Sequence, residues 1–291
     1  MKIPVIVVGP YGKALGRPVC RAILESEACA FVGGVTSPNG GVVQRSQELG
    51  GVAVAGSFAS LARESSAFVS NRDGTVVLYA TKGDQVLKRM QEAVQNGFKR
   101  HVVGSTDLPP ATVQYLKEMA VRGELVLDAP NFSPAATLVD WTAEVWAKVF
   151  PGYDAGVTDK HHNRKAGPLS GTALMYARSI ARGRGLDPEA VIQRHGARPG
   201  AERKESDISV TGHRLGGLPG EHEVYFAGQH DLLVLEQRAY STVSFALGAL
   251  LAIMFCSPLS SGPVAGGFEG KVYRMRDVMR LPNPANMHIW T

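Results

Sequence analysis

The fold is decided by the stretch IPVIVVGPYGKALGRPVCRAIL, residues 3–24. Its first six residues have the pattern of a buried strand, a glycine turn follows, and the remainder is helix-like. This order is typical of the nucleotide end of a Rossmann unit, where a pyrophosphate lies on the helix N-terminus. We predict that Gly9, Gly12, Lys13 and Gly16 bind a cofactor. The spacing G-x-x-G-x-x-x-G differs from the common G-x-G-x-x-G, so an ordinary strand-to-helix turn is the alternative.

The second predicted strand, residues 30–35, ends without a carboxylate, and Thr36 and Ser37 follow it instead. In NAD-preferring Rossmann units an acidic residue at this end binds the ribose 2′-OH. Thr36 and Ser37 can donate hydrogen bonds to a 2′-phosphate, and Lys13 or Arg45 can neutralise its charge. The sequence therefore predicts NADPH as the cofactor, with NADH possible. The alternative is that this segment is a turn-rich surface loop.

Strands alternate with helices as far as residue 127, which predicts a parallel sheet with helices on both faces. Ligands bind at the carboxyl ends of the strands in such sheets. The loops expected at those ends carry Thr81, Lys82, Gly104, Thr106, Asn131 and Phe132. After residue 207 the apolar period changes to two, so the segments 208–210, 223–227 and 232–236 are predicted to be antiparallel strands.

The stretch TDKHHNRKAGPLSGTA, residues 158–173, carries the strongest chemical signals. A short alternating strand precedes it and an apolar helical run follows it. Ser170, Gly171 and Thr172 are therefore expected at a helix N-terminus. Free backbone N–H groups and the positive end of the helix dipole suit a carboxylate or a phosphate at that position.

Three basic residues of the same stretch complete the candidate site. The pair His161 and His162 can supply a proton near neutral pH, and Lys165 can hold an anion. Each has an ordinary alternative, because adjacent histidines are often solvated and a loop lysine usually points to solvent. Ser170 or Thr172 can equally be a simple N-cap. We predict no metal, because no cysteine or carboxylate stands nearby at ligand spacing.

Composition limits the class of protein. The 291 residues suit two domains, and 44% apolar with 20% charged residues indicates a globular chain with ample core. The longest apolar run is about half of a membrane span, and residues 1–8 are predicted to be a strand, not a signal peptide. Three cysteines fit a reducing cytoplasm. The net charge of +5 without a long basic run favours a small anionic ligand over nucleic acid.

The motif H-H-x-x-K-x(4)-S-G-T-A within residues 158–173 resembles the signature of dihydrodipicolinate reductases, which act in bacterial lysine and diaminopimelate synthesis. Further likenesses follow in order along the chain: GSTD at 104–107, PNFS at 130–133, residues 214–226 and MRDV at 275–278. The resemblance implies an α/β fold in which residues 1–131 and 255–291 form a Rossmann-type dinucleotide-binding domain. Residues 132–254 are then an α+β substrate-binding and oligomerisation domain with an open mixed sheet.

The resemblance also implies an activity, the reduction of a small anionic cyclic imine dicarboxylate by NADPH or NADH in a homotetramer. His161 is implied as the general acid, and Lys165 as the residue that holds a carboxylate and stabilises charge. The implied substrate-binding residues are His162, Ser170, Gly171 and Thr172. The residues implied to line the nicotinamide are Gly104, Thr106, Asn131 and Phe132.

Four departures from the family pattern surround these positions. The family's glycine loop is one residue shorter, residues 166–169 replace x-D-A-P, Gln237 stands for a histidine and Thr242 for an arginine. Such differences are typical of a paralogue with a changed substrate, and also of variation between lineages. Two alternatives therefore stay open: a related imine reductase of a specialised pathway, and a non-catalytic NADPH-binding protein. The presence of His161, His162 and Lys165 disfavours the non-catalytic alternative.

Overall fold

Two compact units make up the protein, whose computed structural model describes residues 2–36, 44–64, 71–196, 200, 202–258 and 270–287. The first unit comprises Met1–Ser133 and Thr242–Val278, and the second comprises Pro134–Ser241 and Met279–Thr291. Within the described ranges, no helix has the length and apolar character needed to cross a membrane.

The first unit contains a sheet that has eight strands among the described residues. Numbered along the whole chain, they are β1 (Ile3–Val8), β2 (Cys29–Val35), β3 (Gln44–Ser46), β4 (Val52–Ala55), β5 (Val76–Tyr79), β6 (Arg100–Val103), β7 (Leu125–Asp128) and β13 (Val272–Tyr273). Their order is β13-β7-β6-β5-β1-β2-β4-β3, and each pairing is parallel except that of β3 with β4. The central strands β1 and β5 are buried on both faces, so they read as continuous apolar runs.

Helices cover both faces of this sheet: α1 (Gly16–Glu25), α2 (Phe58–Glu64), α3 (Gly83–Gln95), α4 (Pro110–Val121), α8 (Val243–Cys256) and α9 (Met275–Val278). Strand alternation separates two apolar cores, because Val5 and Val7 join the core with α1 and α8, whereas Ile6 and Val8 join the core with α2, α3 and α4. The predicted parallel sheet with helices on both faces is confirmed.

The second unit is a mixed sheet with helices on one face. Its strands are β8 (Asp154–His161), β9 (Ile192–Arg194), β10 (Ile208–Arg214), β11 (Gly220–Ala227) and β12 (Leu232–Ala239). Its helices are α5 (Pro134–Val149), α6 (Gly171–Gly183) and α7 (Pro188–Val191). The sheet order is β12-β11-β8-β10-β9, and its core joins alternate residues of β8, β10 and β11 to α5 and α6.

The prediction of three antiparallel strands is wrong for the first of them. β10 runs parallel to β8 and β9, and antiparallel pairing is found for β11 with β8 and with β12. The connection from β8 to β10 passes through α6 and α7, and such a crossover returns the chain in the same direction. β8 therefore lies between β10 and β11, which are neighbours in sequence but do not pair.

The compact units also differ from the predicted domain boundaries. Helix α8 belongs to the first unit, because Ala246, Ala249 and Ile253 are buried in the core beside α1. The described residues after Val278 group with the second unit, where Trp141 Nε1 donates a hydrogen bond to the Pro282 carbonyl at 2.7 Å. The α8 sequence is apolar on all sides, so its pattern did not indicate which core it joins.

Candidate active site

The histidine motif begins on β8, and the period of that strand separates its two histidines. Ala155, Val157 and Asp159 alternate as buried residues on the face that α5 and α6 cover. His161 follows two positions later and so shares the face of Asp159, whereas His162 falls on the other alternate set. The side chain of His161 is 13% exposed and that of Asp159 is fully buried.

The strand register brings a row of polar residues beside Asp159. Asp159 pairs with His222 on β11, and His222 pairs with Gln237 on β12. On the other side Asp159 pairs with Gly212 on β10, and His161 pairs with Arg214 two positions further along. Side chains directly opposite one another on neighbouring strands are close enough to interact, so four strands contribute to one cluster.

Both oxygens of Asp159 are engaged. Oδ2 accepts hydrogen bonds from the Ser170 backbone N–H at 2.8 Å and from Arg214 Nη2 at 3.0 Å. Oδ1 lies 3.1 Å from Nε2 of His161 and 3.1 Å from Nε2 of His222. The angles at these two histidine contacts fall short of hydrogen-bond geometry, so we describe both as electrostatic contacts.

The environment of Asp159 keeps its carboxyl ionised. Burial by itself raises the pKa of a carboxyl, but the facing groups of His161, His222 and Ser170 outweigh burial. The pKa of Asp159 therefore lies well below its usual range. A buried carboxylate is found in proteins when it is paired and hydrogen-bonded, as it is here by Arg214 and the Ser170 amide.

His222 connects the cluster to helix α6 and to β12. Its Nε2 lies 3.0 Å from Ser170 Oγ, and its Nδ1 lies 3.1 Å from Gln237 Oε1. The ring of Tyr176 on α6 stands edge-on to the His222 imidazole, with 5.7 Å between centroids. Gln237, which replaces a histidine of the family pattern, is thus a direct neighbour of His222.

Helix α6 begins where the motif predicted a helix N-terminus. Ser170 is the N-cap, and its Oγ accepts a hydrogen bond from the Ala173 backbone N–H at 3.1 Å. Ser170 is buried, Thr172 is half-buried and Gly171 is exposed, with open space around the position of a Cβ atom. The N-cap alternative is therefore correct for Ser170, and the exposed first turn still offers amide groups to an anion.

The loop between His162 and Ser170 crosses over β10. A Cβ atom on Gly212 would lie 2.0 Å from the Pro168 carbonyl oxygen, so only glycine allows this crossing. Arg214 Nε donates to the Gly167 carbonyl at 3.1 Å and fixes the same loop. Lys165 is exposed, at a turn in which its backbone N–H donates to the His162 carbonyl at 3.0 Å. The Lys165 ammonium is thus on the surface, outside the buried cluster.

In the first unit the predicted cofactor loop links β1 to α1. Gly9 has a φ of +82°, and a Cβ atom there would lie 2.5 Å from the Ala80 carbonyl oxygen. A Cβ atom on Gly16 would lie 2.0 Å from the Gly9 carbonyl oxygen. Gly12 and Lys13 are exposed, and α1 has no side-chain cap at its N-terminus. An uncapped ten-residue helix behind an exposed glycine loop fits the pyrophosphate of a dinucleotide.

The other predicted cofactor loops meet this one in the first unit. A Cβ atom on Gly104 would lie 2.3 Å from the Phe132 ring and 2.8 Å from the Leu15 side chain, so these three residues pack together. Asn131 Oδ1 accepts from the Ser133 N–H at 2.9 Å. Of the other predicted residues, Thr36 and Thr81 are half-buried, and Lys82 and Thr106 are exposed. The predicted residue Ser37 lies outside the described residues.

A residue near Thr36 was missed by the sequence analysis. Arg89 is buried on α3, and its Nη2 donates to the Thr36 carbonyl at 2.6 Å while its Nη1 donates to the Gly56 carbonyl at 2.9 Å. Arg89 therefore links the residues that follow β2 and β4 by hydrogen bonds. The ribose-binding residues were predicted at the end of β2. The sequence pattern of α3 did not indicate this role.

The cluster also has the spacing of a metal site. Ligand atoms of Asp159, His161 and His222 all lie within 4.8 Å of one another. The absence of a metal was predicted because no carboxylate stood at ligand spacing, and Asp159 shows that this reason was wrong. The guanidinium of Arg214 already pairs with the same carboxylate, at 3.0 Å from Oδ2. We therefore describe the three groups as part of an ion-pair cluster.

A Rossmann-type unit with a glycine loop, and a second unit with a histidine cluster beside a helix N-terminus, define a nucleotide-dependent oxidoreductase. Comparison with family models matches residues 3–132 to "Dihydrodipicolinate reductase, N-terminus" and residues 135–279 to "Dihydrodipicolinate reductase, C-terminus". The chain belongs to the dihydrodipicolinate reductase family, whose members use NADH or NADPH.

Individual relatives agree over nearly the whole chain. It is 33% identical to a 4-hydroxy-tetrahydrodipicolinate reductase of Rubrobacter xylanophilus, over 95% of this chain and 98% of the relative. It is 31% identical to one from Dinoroseobacter shibae, over 96% of this chain and 99% of the relative. The solved structure of dipicolinate-bound dihydrodipicolinate reductase from Paenisporosarcina sp. TG-14 has the same fold. That likeness has a TM-score of 0.70 and 24% identity, and covers 95% of this chain and 99% of that structure.

Proposed function

We propose that this protein reduces dihydrodipicolinate to tetrahydrodipicolinate with NADPH or NADH. Membership of the family supports the reaction, and one feature of the second unit carries the assignment of residues. This feature is the buried Asp159 carboxylate, which contacts both the His161 imidazole and the Ser170 amide at the start of α6. A proton donor and a helix N-terminus suited to a carboxylate are therefore held by one group.

Reduction of the ring needs one hydride and one proton. The reduced nicotinamide supplies the hydride when it is bound. The imidazolium of His161 supplies the proton, and the Asp159 carboxylate stabilises that imidazolium by its charge. The backbone amides at the start of α6, at the exposed Gly171 and the half-buried Thr172, hold one substrate carboxylate.

Two further side chains complete the proposed assignment. Lys165 lies on the surface loop that joins β8 to α6, and its ammonium pairs with the second substrate carboxylate. His162 stands edge-on to His161 with 6.4 Å between ring centroids, and donates a hydrogen bond to the substrate. Lys165→Ala is expected to lower kcat and raise KM, whereas His162→Ala acts mainly on KM.

The test follows the oxidation of NADPH and NADH with a panel of cyclic imines by absorbance. The panel includes dihydrodipicolinate, a cyclic imine monocarboxylate and a cyclic imine without a carboxylate. The proposal expects the highest kcat/KM for dihydrodipicolinate. A higher kcat/KM for the monocarboxylate supports a specialised imine reductase instead. Cofactor binding without oxidation by any imine supports the non-catalytic alternative.

We also propose that the protein is a cytoplasmic homotetramer. The sheet of the second unit is open, and its edge strand β12 has Leu232 56% and Val234 44% exposed. Exposed apolar residues on an open edge favour association with another copy. Light scattering is expected to give four times the chain mass at micromolar concentration, and a monomer would contradict this. The three cysteines are buried and free, in keeping with the cytoplasm, and cell fractionation tests that location.

A further inference from the structure

Asp159 contacts both halves of the proposed catalytic site through its two carboxylate oxygens. Its Oδ1 faces His161, which stands at the end of β8, and its Oδ2 accepts from the Ser170 amide, which begins α6. Ser170 stands eleven positions after Asp159 in the chain. The carboxylate therefore closes this loop and sets the separation between the imidazole and the helix N-terminus.

We propose that Asp159 is a positioning residue that orients His161 for proton transfer and fixes the start of α6 for substrate binding. This inference rests on the proposed function, because it assigns a role within the same reaction. The other contacts of the carboxylate support it. Arg214 and His222 hold the carboxylate from β10 and β11, so Asp159 has little freedom to follow His161 if the imidazole moves.

The orientation of His161 has a chemical consequence. Its Nε2 faces the Asp159 carboxylate at 3.1 Å in an electrostatic contact without hydrogen-bond geometry. The negative charge favours a proton on Nε2, so Nδ1 is the nitrogen left to donate a proton to a substrate. After donation the neutral ring keeps its other proton on Nε2, opposite the carboxylate. A buried carboxylate that holds a catalytic imidazole in one tautomer, without taking the proton itself, is an established arrangement in other enzymes.

A glycine limits the His161 ring from another side. A Cβ atom on Gly220, at the start of β11, would lie 2.9 Å from Cε1 of His161. Gly217 belongs to the preceding turn and has nothing within 4 Å of the same position. Gly220→Ala therefore displaces the imidazole while Asp159 is unchanged, and Gly217→Ala is its matched control.

The charged and titratable groups around Asp159 come from every neighbouring element. They are His161 and His162 at the end of β8, Arg214 on β10, His222 on β11 and Tyr176 on α6. Asp159 supplies the negative charge that faces the His161, His222 and Arg214 side chains. Its removal leaves these three side chains facing one another without that negative charge.

The experiment compares the parent with Asp159→Asn, which keeps the shape of the side chain but removes its charge. With dihydrodipicolinate and NADPH we expect kcat to fall by about 10²-fold or more and KM to rise. The pH–rate profile should also change in shape, which a merely structural defect does not cause. Asp207→Asn is the matched control, because Asp207 is also buried in the second unit and receives the Lys204 N–H at 3.0 Å.

A second measurement needs no substrate. In ¹⁵N spectra recorded at a pH where His161 is neutral, the parent should show the proton on Nε2, and Asp159→Asn should show a mixture of tautomers. If Asp159→Asn does not fold, Gly220→Ala should lower kcat by at least about tenfold relative to Gly217→Ala.

Three results would overturn the inference. One is an unchanged pH–rate profile with full kcat in folded Asp159→Asn. Another is a mixed His161 tautomer in the parent. The third is loss of parental activity on chelation with recovery on adding a divalent ion, which would make the cluster a metal site. A parent that shows the Nε2 tautomer but reduces no imine contradicts the proposed function and leaves the orientation of His161 by Asp159 supported.

Discussion

The candidate sites of the two units differ in the atoms that build them. In the first unit the backbone does so, because Gly9 and Gly16 approach neighbouring carbonyl oxygens too closely for any side chain. In the second unit side chains from four strands gather around the Asp159 carboxylate. The damaging change is therefore an added atom in the first unit, and a removed charge or proton donor in the second.

One buried ionisable group in each unit shows how burial and charged partners compete. His101 in the first unit is fully buried between Tyr79, whose hydroxyl lies 2.9 Å from Nδ1, and the Phe98 carbonyl, 3.1 Å from Nε2. Burial lowers the pKa of His101 from 6.5 to about 4, although the hydrogen bond to Phe98 opposes this. At His101 burial has the larger effect on the pKa and keeps the imidazole neutral. At Asp159 the partners have the larger effect and keep the carboxyl ionised.

The largest expected effect is a loss of turnover in His161→Ala without a loss of cofactor affinity. His161→Ala should lower kcat with dihydrodipicolinate by about 10²–10⁴-fold, the usual contribution of a general acid. NADPH affinity should stay at the parental value, because the predicted cofactor residues lie in the first unit. Steady-state kinetics and cofactor fluorescence measure the two quantities, with the exposed His230→Ala as control. Nearly full activity in His161→Ala would mean that another group donates the proton.

The second prediction concerns acid stability. Between pH 6.5 and about 4 the unfolded first unit binds a proton at His101 that the folded unit does not. Folding stability therefore falls as the pH drops through this window, by about 3 kcal/mol in total. Asp159 contributes to folding stability for a different reason, because its partners favour the ionised carboxyl. Its lowered pKa preserves this stability until the pH drops below the ordinary carboxyl value of 3.8.

Urea unfolding at pH 8, 6 and 5 tests this difference between the units. Circular dichroism follows the whole chain, and in a Trp290→Phe background the fluorescence of Trp141 and Trp146 follows α5 of the second unit. The first unit should lose stability earlier, and His230→Gln should leave the pH dependence unchanged. Equal losses in both units across this range would show that His101 does not control acid unfolding.

The third prediction adds a methyl group to the glycine loop. Gly16→Ala places its Cβ atom 2.0 Å from a backbone oxygen, so the loop must shift at a cost of about 1–3 kcal/mol and NADPH binding must weaken. Gly12→Ala is the comparison variant, because its Cβ atom would lie an ordinary 3.4 Å from the nearest atom, the Gly9 carbonyl oxygen. It should retain the parental melting temperature and lose cofactor affinity. Unchanged affinity in both variants would exclude this loop as the pyrophosphate site.

The smallest expected effect is the choice between nucleotides. No carboxylate follows β2, so NADPH should bind at least as well as NADH. Titration of both cofactors by fluorescence gives the ratio of the Kd values, and repeating it with Thr36→Ala tests that hydroxyl. A clear preference for NADH would point to a recognition residue other than Thr36.

The sequence indicated several features because their signals are local. Burial on both faces produced the apolar strands β1 and β5, and the glycine turn between β1 and α1 followed directly. His161 and Ser170 were found because both lie in one short stretch between a strand end and a helix start. The role predicted for Lys165 rested on the same stretch, and its exposed position leaves that role a proposal.

The partners of His161 depended on contacts between distant segments. Asp159 and His161 share a face because strand side chains alternate, and this signal was present in the sequence once β8 was extended to His161. His222, Arg214 and Gln237 could not be placed in the same way. A shift of one residue in strand register would turn each of these side chains to the opposite face.

By itself the sequence determined the two-unit α/β fold, the family and the short motif that holds His161 and Ser170, since each depends on residues close together in the chain. The tertiary structure alone decided that β10 runs parallel to β8, that α8 joins the first unit, and that Asp159 meets residues of three other elements. These outcomes depend on strand register and on which core buries each apolar face. Both are settled only when segments far apart in the chain pack together.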